Sequence, residues 1–237
     1  MRFPGSRTLK KSILKSQEAL YGVLNMERVT EERHRLKLVE SMGFDGQWDD
    51  HRNFQMTFLC RNGMTPQSRI LEIGSGPLTL AIPLMQELEP GHYTGVDVRE
   101  SVTNLAYMEI ARAGIAACNP RLIVAGDFGA KALGSETFDI LWSFSVLYHL
   151  SDELVDQWFE NVKRRLAPEG HYWANFNDGL EDSRWLEFPF LNRSASFYEK
   201  IAQKNGLSMK VLGTLEELGF VGSGVERKNI MIEIRHG

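Results

Sequence analysis

Residues 70–82 read ILEIGSGPLTLAI: an apolar run holding one acid, a Gly-x-Gly pair, then a stretch of helix formers. No other segment limits the fold as much. A short apolar run closed by glycines specifies a buried strand that turns tightly, because a glycine adopts backbone angles that a Cβ forbids. A helix opening at such a turn directs unpaired N–H groups beyond the strand tip, where a ligand can lie. Glu72, Gly74, Ser75 and Gly76 are therefore the first candidate binding residues.

The remainder of the chain repeats the pattern. Short apolar segments at 69–73, 92–97, 122–125, 138–143 and 171–175 alternate with helical periodicity at 78–88, 101–114, 152–166 and 194–205. Alternation of this kind predicts a mostly parallel sheet with helices on both faces. Two further strands, 207–212 and 229–235, close it. Residues 1–65 differ: they are rich in charge and helix formers, and a helix is expected over 48–59. The division expected is a helical N-terminal cap over 1–65 and an α/β domain over 66–237, with an insertion at about 176–197.

In such sheets ligands bind outside the carboxyl ends of the strands. Asp97 ends the second strand about twenty residues beyond the glycines, the spacing at which a carboxylate accepts hydrogen bonds from ribose hydroxyls. Val98 adjoins it. Asp127 and Phe128 follow the third strand, and 138–150 (FDILWSFSVLYHL) carries Phe144, Ser145, Tyr148 and His149 to the same edge. Asp127 also suits a helix cap. His149 is the candidate general base, although a packed or capping imidazole fits its position as well.

With these residues in place, the chain resembles the class I S-adenosylmethionine-dependent methyltransferases over about residues 48–235. Glu72, Gly74 and Gly76 match that family's acid-x-Gly-x-Gly loop, which implies contacts to the methionine part of the cofactor. Asp97 matches the acid on the ribose, Asp127 with Phe128 the pair at the adenine, and Phe144 with Ser145 the methionine end. The resemblance implies a Rossmann-like seven-strand sheet, mostly parallel with the last strand antiparallel. Two positions depart from the pattern: Leu78 beside Pro77 replaces the third glycine of the loop, and Glu169 replaces a glycine in the turn before the fifth strand. Leu78 is expected to crowd the crevice.

Composition narrows the function. A net charge of -4 and a pI near 5.9 oppose a surface built to neutralise phosphates, so nucleic acid is not the expected substrate. The two cysteines, Cys60 and Cys118, suggest a reducing compartment and a cytoplasmic protein. Basic residues near the start (Arg2, Arg7, Lys10, Lys11, Lys15) are not followed by an apolar signal or membrane-spanning run. No residues at metal-ligand spacing stand out. The expected activity is transfer of a methyl group to a small-molecule acceptor, oxygen first and nitrogen second. Trp185 in the insertion and Tyr148 are the substrate-side candidates, while Trp48, Arg52 and Gln55 are candidates to cover the cofactor. The insertion equally suits a lid, a packed loop or a contact in a homodimer. An NAD-dependent oxidoreductase and a non-catalytic S-adenosylmethionine-binding regulator are the alternatives.

Overall fold

The computed structural model describes Arg33, Leu38 and residues 48–178, 181–222 and 225–237, without the side chains of Trp185, Val225 and Glu226. The chain divides into a unit of residues 1–42 and a unit of residues 43–237. Arg33 and Leu38 are helical. Apart from these two, the expected cap lies outside the described residues as far as residue 47.

The second unit opens with α1 (Trp48–Arg61), two residues longer than expected. Then come β1 (Ile70–Ile73), α2 (Ala81–Glu87), β2 (Tyr93–Asp97), α3 (Glu100–Ala113), β3 (Arg121–Val124), the short α4 (Ala130–Leu133) and β4 (Phe138–Ser143). The chain continues through α5 (Asp152–Arg165), β5 (Leu166–Phe176), β6 (Ser183–Trp185), β7 (Phe188–Phe190), α6 (Ala195–Lys204), β8 (Leu207–Thr214) and β9 (Ile230–His236). Seven strands form one sheet in the order β3-β2-β1-β4-β5-β9-β8, and β6 pairs with β7 alone. β1 through β5 run parallel, while β9 is antiparallel to both of its neighbours. The Rossmann-like seven-strand sheet expected from the sequence is what forms.

The helices form for readable reasons. In α5, Ser151 accepts from the Leu154 amide at the N-terminus, Asp152 and Glu153 occupy the first turn, and Lys163, Arg164 and Arg165 the last. Val155, Trp158, Phe159 and Val162 are fully buried against the sheet, whereas Leu154 stays exposed. One sheet face packs Trp158, Tyr172, Ala174 and Phe176; the other packs Trp142, Trp173 and Met231 against Phe54 and Phe58 of α1. The turn expected before the fifth strand lies within it. Leu166 pairs with Phe138 and His171 with Ile140, so the intervening residues bulge.

Candidate functional site

The glycine loop joins the tips of β1 and β2. Gly74 and Gly76 have φ of +75° and +52°, angles that glycine adopts without strain. Gly74 and Ser75 both donate their amides to the Val96 carbonyl (2.8 and 3.1 Å), and the Gly76 amide donates to Oδ2 of Asp97 (3.0 Å). These three N–H groups thus fasten the loop to β2 and do not point outward, so its use to a ligand is close approach. A Cβ on Gly74 would stand 2.4 Å from Cγ2 of Val146, which presses on the loop from beyond β4.

Helix α2 begins at Ala81, later than expected, because Leu78 takes the left-handed conformation (φ +68°). That conformation turns the side chain inward. Leu78 is fully buried in the core formed with Leu80, Leu84 and Phe58, so it does not crowd the crevice.

Beneath the loop, Glu72 is buried and accepts a 2.6 Å hydrogen bond from the Tyr93 hydroxyl. Burial raises the Glu72 pKa to about 8, with Asp97 adding to the effect and the Tyr93 bond opposing it. Its carboxyl is therefore largely protonated at neutral pH. Asp97 is buried at the tip of β2, where Oδ1 accepts from the Arg99 amide (2.9 Å) and lies 3.4 Å from Arg99 Nε. A carboxylate offers about four acceptor positions; with three engaged, it retains capacity for an outside hydroxyl. Immediately after this buried acid, Val98 is 54% exposed. A Cβ on Gly126, at the tip of β3, would meet nothing within 4 Å. An apolar side chain left in water and an open strand tip beside a buried acid suit the flat ring and ribose of a nucleoside.

Asp127 is exposed and accepts from the Lys131 amide at 3.2 Å, capping α4. Phe128 turns away from the crevice into the core, 5.1 Å from the Trp158 ring, so only its backbone faces the edge. Phe144 stacks at 6.0 Å on Trp142 and meets His51 and Phe54 of α1. Ser145, also left-handed (φ +59°), donates its amide to Oδ1 of Asn175 at 2.7 Å. In α1, Arg52 Nε reaches the Thr79 carbonyl (2.8 Å) and Gln55 accepts from the Trp142 indole (2.9 Å), so both brace the core.

The insertion forms the β6–β7 hairpin, closed at its base where the Arg193 amide donates to the Asn177 carbonyl. It settles on the turn after β4. The Leu191 amide donates to the Tyr148 carbonyl (2.8 Å), Tyr148 packs on Phe190 (4.4 Å), and Nδ1 of His149 donates to the Pro189 carbonyl (2.7 Å). Burial lowers the His149 pKa, so the ring is neutral with Nε2 as its accepting nitrogen. Arg99 links the two sides, since its guanidinium also lies over Phe188 at 5.7 Å. The side chain of Trp185 lies outside the described residues. A separate cavity of about 510 Å³ opens at the amino ends of the strands, between Arg69, His92, Arg121 and Glu136. It lies at the opposite ends of the strands from the glycine loop.

Single-sequence reasoning missed Tyr93, Arg99 and Val146. Only Arg99 left a signal, as a basic residue two places after an acid; Tyr93 acts through the register of β1 with β2, and Val146 through the turn after β4.

The sheet with its antiparallel β9, ending beside this loop and acid, is a fold shared with solved S-adenosylmethionine-dependent methyltransferases. Residues 71–172 match the family model of a methyltransferase domain. A phosphoethanolamine N-methyltransferase of Plasmodium falciparum is 23% identical over 168 residues, 71% of this chain and 56% of that protein. The chain thus spans little more than half the length of this curated relative. Magnesium protoporphyrin IX methyltransferase of Synechocystis PCC 6803, solved with bound S-adenosylhomocysteine, superposes with a TM-score of 0.63 at 15% identity, covering 88% of this chain and 95% of that one. An S-adenosylmethionine-dependent methyltransferase of Clostridium acetobutylicum gives 0.63 at 12% identity over 88% of this chain and 99% of that one.

Proposed function

We propose that the chain transfers the methyl group of S-adenosylmethionine to a small-molecule acceptor. The observation that carries this is Asp97: a buried carboxylate, oriented by the Gly76 amide, next to the exposed Val98. In this reading Asp97 accepts from the ribose hydroxyls. Val98 covers one face of the adenine, with Asp127 and the Phe128 backbone at its edge. Glu72, Gly74, Ser75, Gly76, Phe144 and Ser145 surround the methionine end.

When bound, the cofactor supplies a sulfonium methyl open to in-line attack. What the protein must add is alignment and exclusion of water; alignment alone contributes up to about 7–11 kcal/mol. The β6–β7 hairpin serves as the substrate-side lid. An oxygen acceptor needs its proton removed, and His149, neutral with Nε2 as acceptor, is the base we assign. A free amine already carries its lone pair and needs a base only to shed the ammonium proton, and the Plasmodium relative's name supports that second reading. No described helix is long and apolar enough to cross a membrane. Together with the unpaired Cys60 and Cys118, this supports a cytoplasmic location.

Isothermal titration calorimetry with S-adenosylmethionine, S-adenosylhomocysteine and NAD tests the proposal. Micromolar binding of the two sulfur compounds without NAD is the expected result. Binding of NAD alone would overturn it in favour of an oxidoreductase.

A further inference from the structure

Three asparagines stand on one face of the sheet at the carboxyl end of β5 and the start of β9. Asn175 lies in β5, Asn177 just beyond it, and Asn229 just before β9. The β5–β9 register pairs Phe176 with Ile230, so its next step sets Asn177 opposite Asn229, and opposed residues of an antiparallel pair share a face. All three side chains are at least 99% buried. Oδ1 of Asn175 accepts from Ser145, but among the described residues its Nδ2 has no partner, and in Asn177 and Asn229 neither Nδ2 nor Oδ1 has one.

Native proteins rarely bury so many unpaired amide atoms in one place. These lie at the carboxyl edge of the sheet, next to Ser145 and at the start of the insertion proposed as the lid. We infer that Asn175, Asn177 and Asn229 form the acceptor subsite, and that it selects an uncharged acceptor with both hydrogen-bond donors and acceptors, as in an amide, urea or hydroxyl group. The amides supply three NH2 groups, with two N–H donors each, and two acceptor oxygens, with no net charge. A phosphate or carboxylate would leave the two Oδ1 atoms facing oxygen lone pairs and would be desolvated without a counter-charge. The inference rests on the methyltransferase reading.

The test is formation of S-adenosylhomocysteine from S-adenosylmethionine with matched acceptor pairs: glycerol against glycerol 3-phosphate, benzamide against benzoate, and nicotinamide against nicotinate. Wild-type protein is expected to favour the neutral member of at least one pair by tenfold or more. Asn177→Leu and Asn229→Leu are expected to lose that turnover by tenfold or more while binding S-adenosylmethionine as wild type does and melting no lower. Asn177→Ser serves if the leucine variant does not fold. Preference for the charged members, no turnover of any neutral one, or undiminished turnover by the variants would overturn the subsite. Failure to bind S-adenosylmethionine at all would instead strike the methyltransferase reading.

Discussion

The hydroxyl of Tyr93 and the carboxyl of Glu72 meet at 2.6 Å beneath the glycine loop, both buried. With its pKa raised from an ordinary 4.5 to about 8, chiefly by burial, Glu72 binds its proton more tightly in the folded chain than in the unfolded one. Its contribution to stability is therefore full below about pH 4.5 and declines as pH climbs towards 8, with a slope approaching about 1.4 kcal/mol per pH unit. Glu72→Gln keeps the shape and the acceptor for Tyr93 but cannot ionise. Urea denaturation at pH 5, 6.5 and 8 should show the variant gaining on the wild type as pH rises. A constant difference would contradict the assignment.

Asp97 has two duties that separate experimentally. Its oxygens hold the Gly76 and Arg99 amides and, in the proposed complex, the ribose. Asp97→Ala should weaken S-adenosylmethionine binding at least tenfold, about 1.4 kcal/mol, by calorimetry. Asp97→Asn retains one acceptor oxygen, so it should keep the loop anchored and fall between the two. Wild-type affinity in a folded Asp97→Ala protein would remove the residue from the site.

Gly74→Ala tests the close approach of β4's tip to the loop. The new Cβ would meet Val146 at 2.4 Å on a backbone with φ +75°. Left-handed strain of about 1–2 kcal/mol adds to overpacking of about 1–3 kcal/mol. Adding Val146→Ala should recover the second part only. Thermal denaturation of the two variants measures the partition, and equal loss in both would show that the contact with Val146 does not matter.

The sheet was legible because its signal is local: apolar runs of four to six residues, closed by a glycine, an acid or a serine at Gly74, Asp97 and Ser143, fall where the strands fall. The candidate site was legible only where a residue type stands at a fixed spacing, as with Glu72, Gly76 and Asp97, which the structure brings together at the tips of β1 and β2. Phe128 shows the limit. Its place after Asp127 was readable, but its turn into the core against Trp158 follows from a left-handed φ of +56°, which no pattern of residue types announces. The asparagines are harder still, since Asn177 and Asn229 are 52 residues apart and meet only through strand register.

Phe190 secures the hairpin by packing on Tyr148 at 4.4 Å and His149 at 5.6 Å. Phe190→Ala removes both contacts and leaves the glycine loop untouched. Trypsin cleavage after the exposed Arg184 should accelerate severalfold while S-adenosylmethionine affinity holds within about twofold, less than 1.4 kcal/mol. Unchanged cleavage would show that the hairpin is held by its backbone bonds alone.

Leu78 reverses a familiar ranking. It is fully buried, yet its φ of +68° is one that an L side chain adopts at a cost of about 1–2 kcal/mol. Leu78→Ala deletes most of the buried side chain and retains the strain, so a loss of about 2–5 kcal/mol is expected. Leu78→Gly deletes slightly more but frees the backbone, as the glycine usual at this place in the family would. At an ordinary buried position glycine is the worse replacement; here it should be the better one by about 1 kcal/mol. Denaturant unfolding of the two variants decides it. If Leu78→Ala proves the more stable, the loop does not hold the left-handed turn in solution, and the late start of α2 at Ala81 would need another cause.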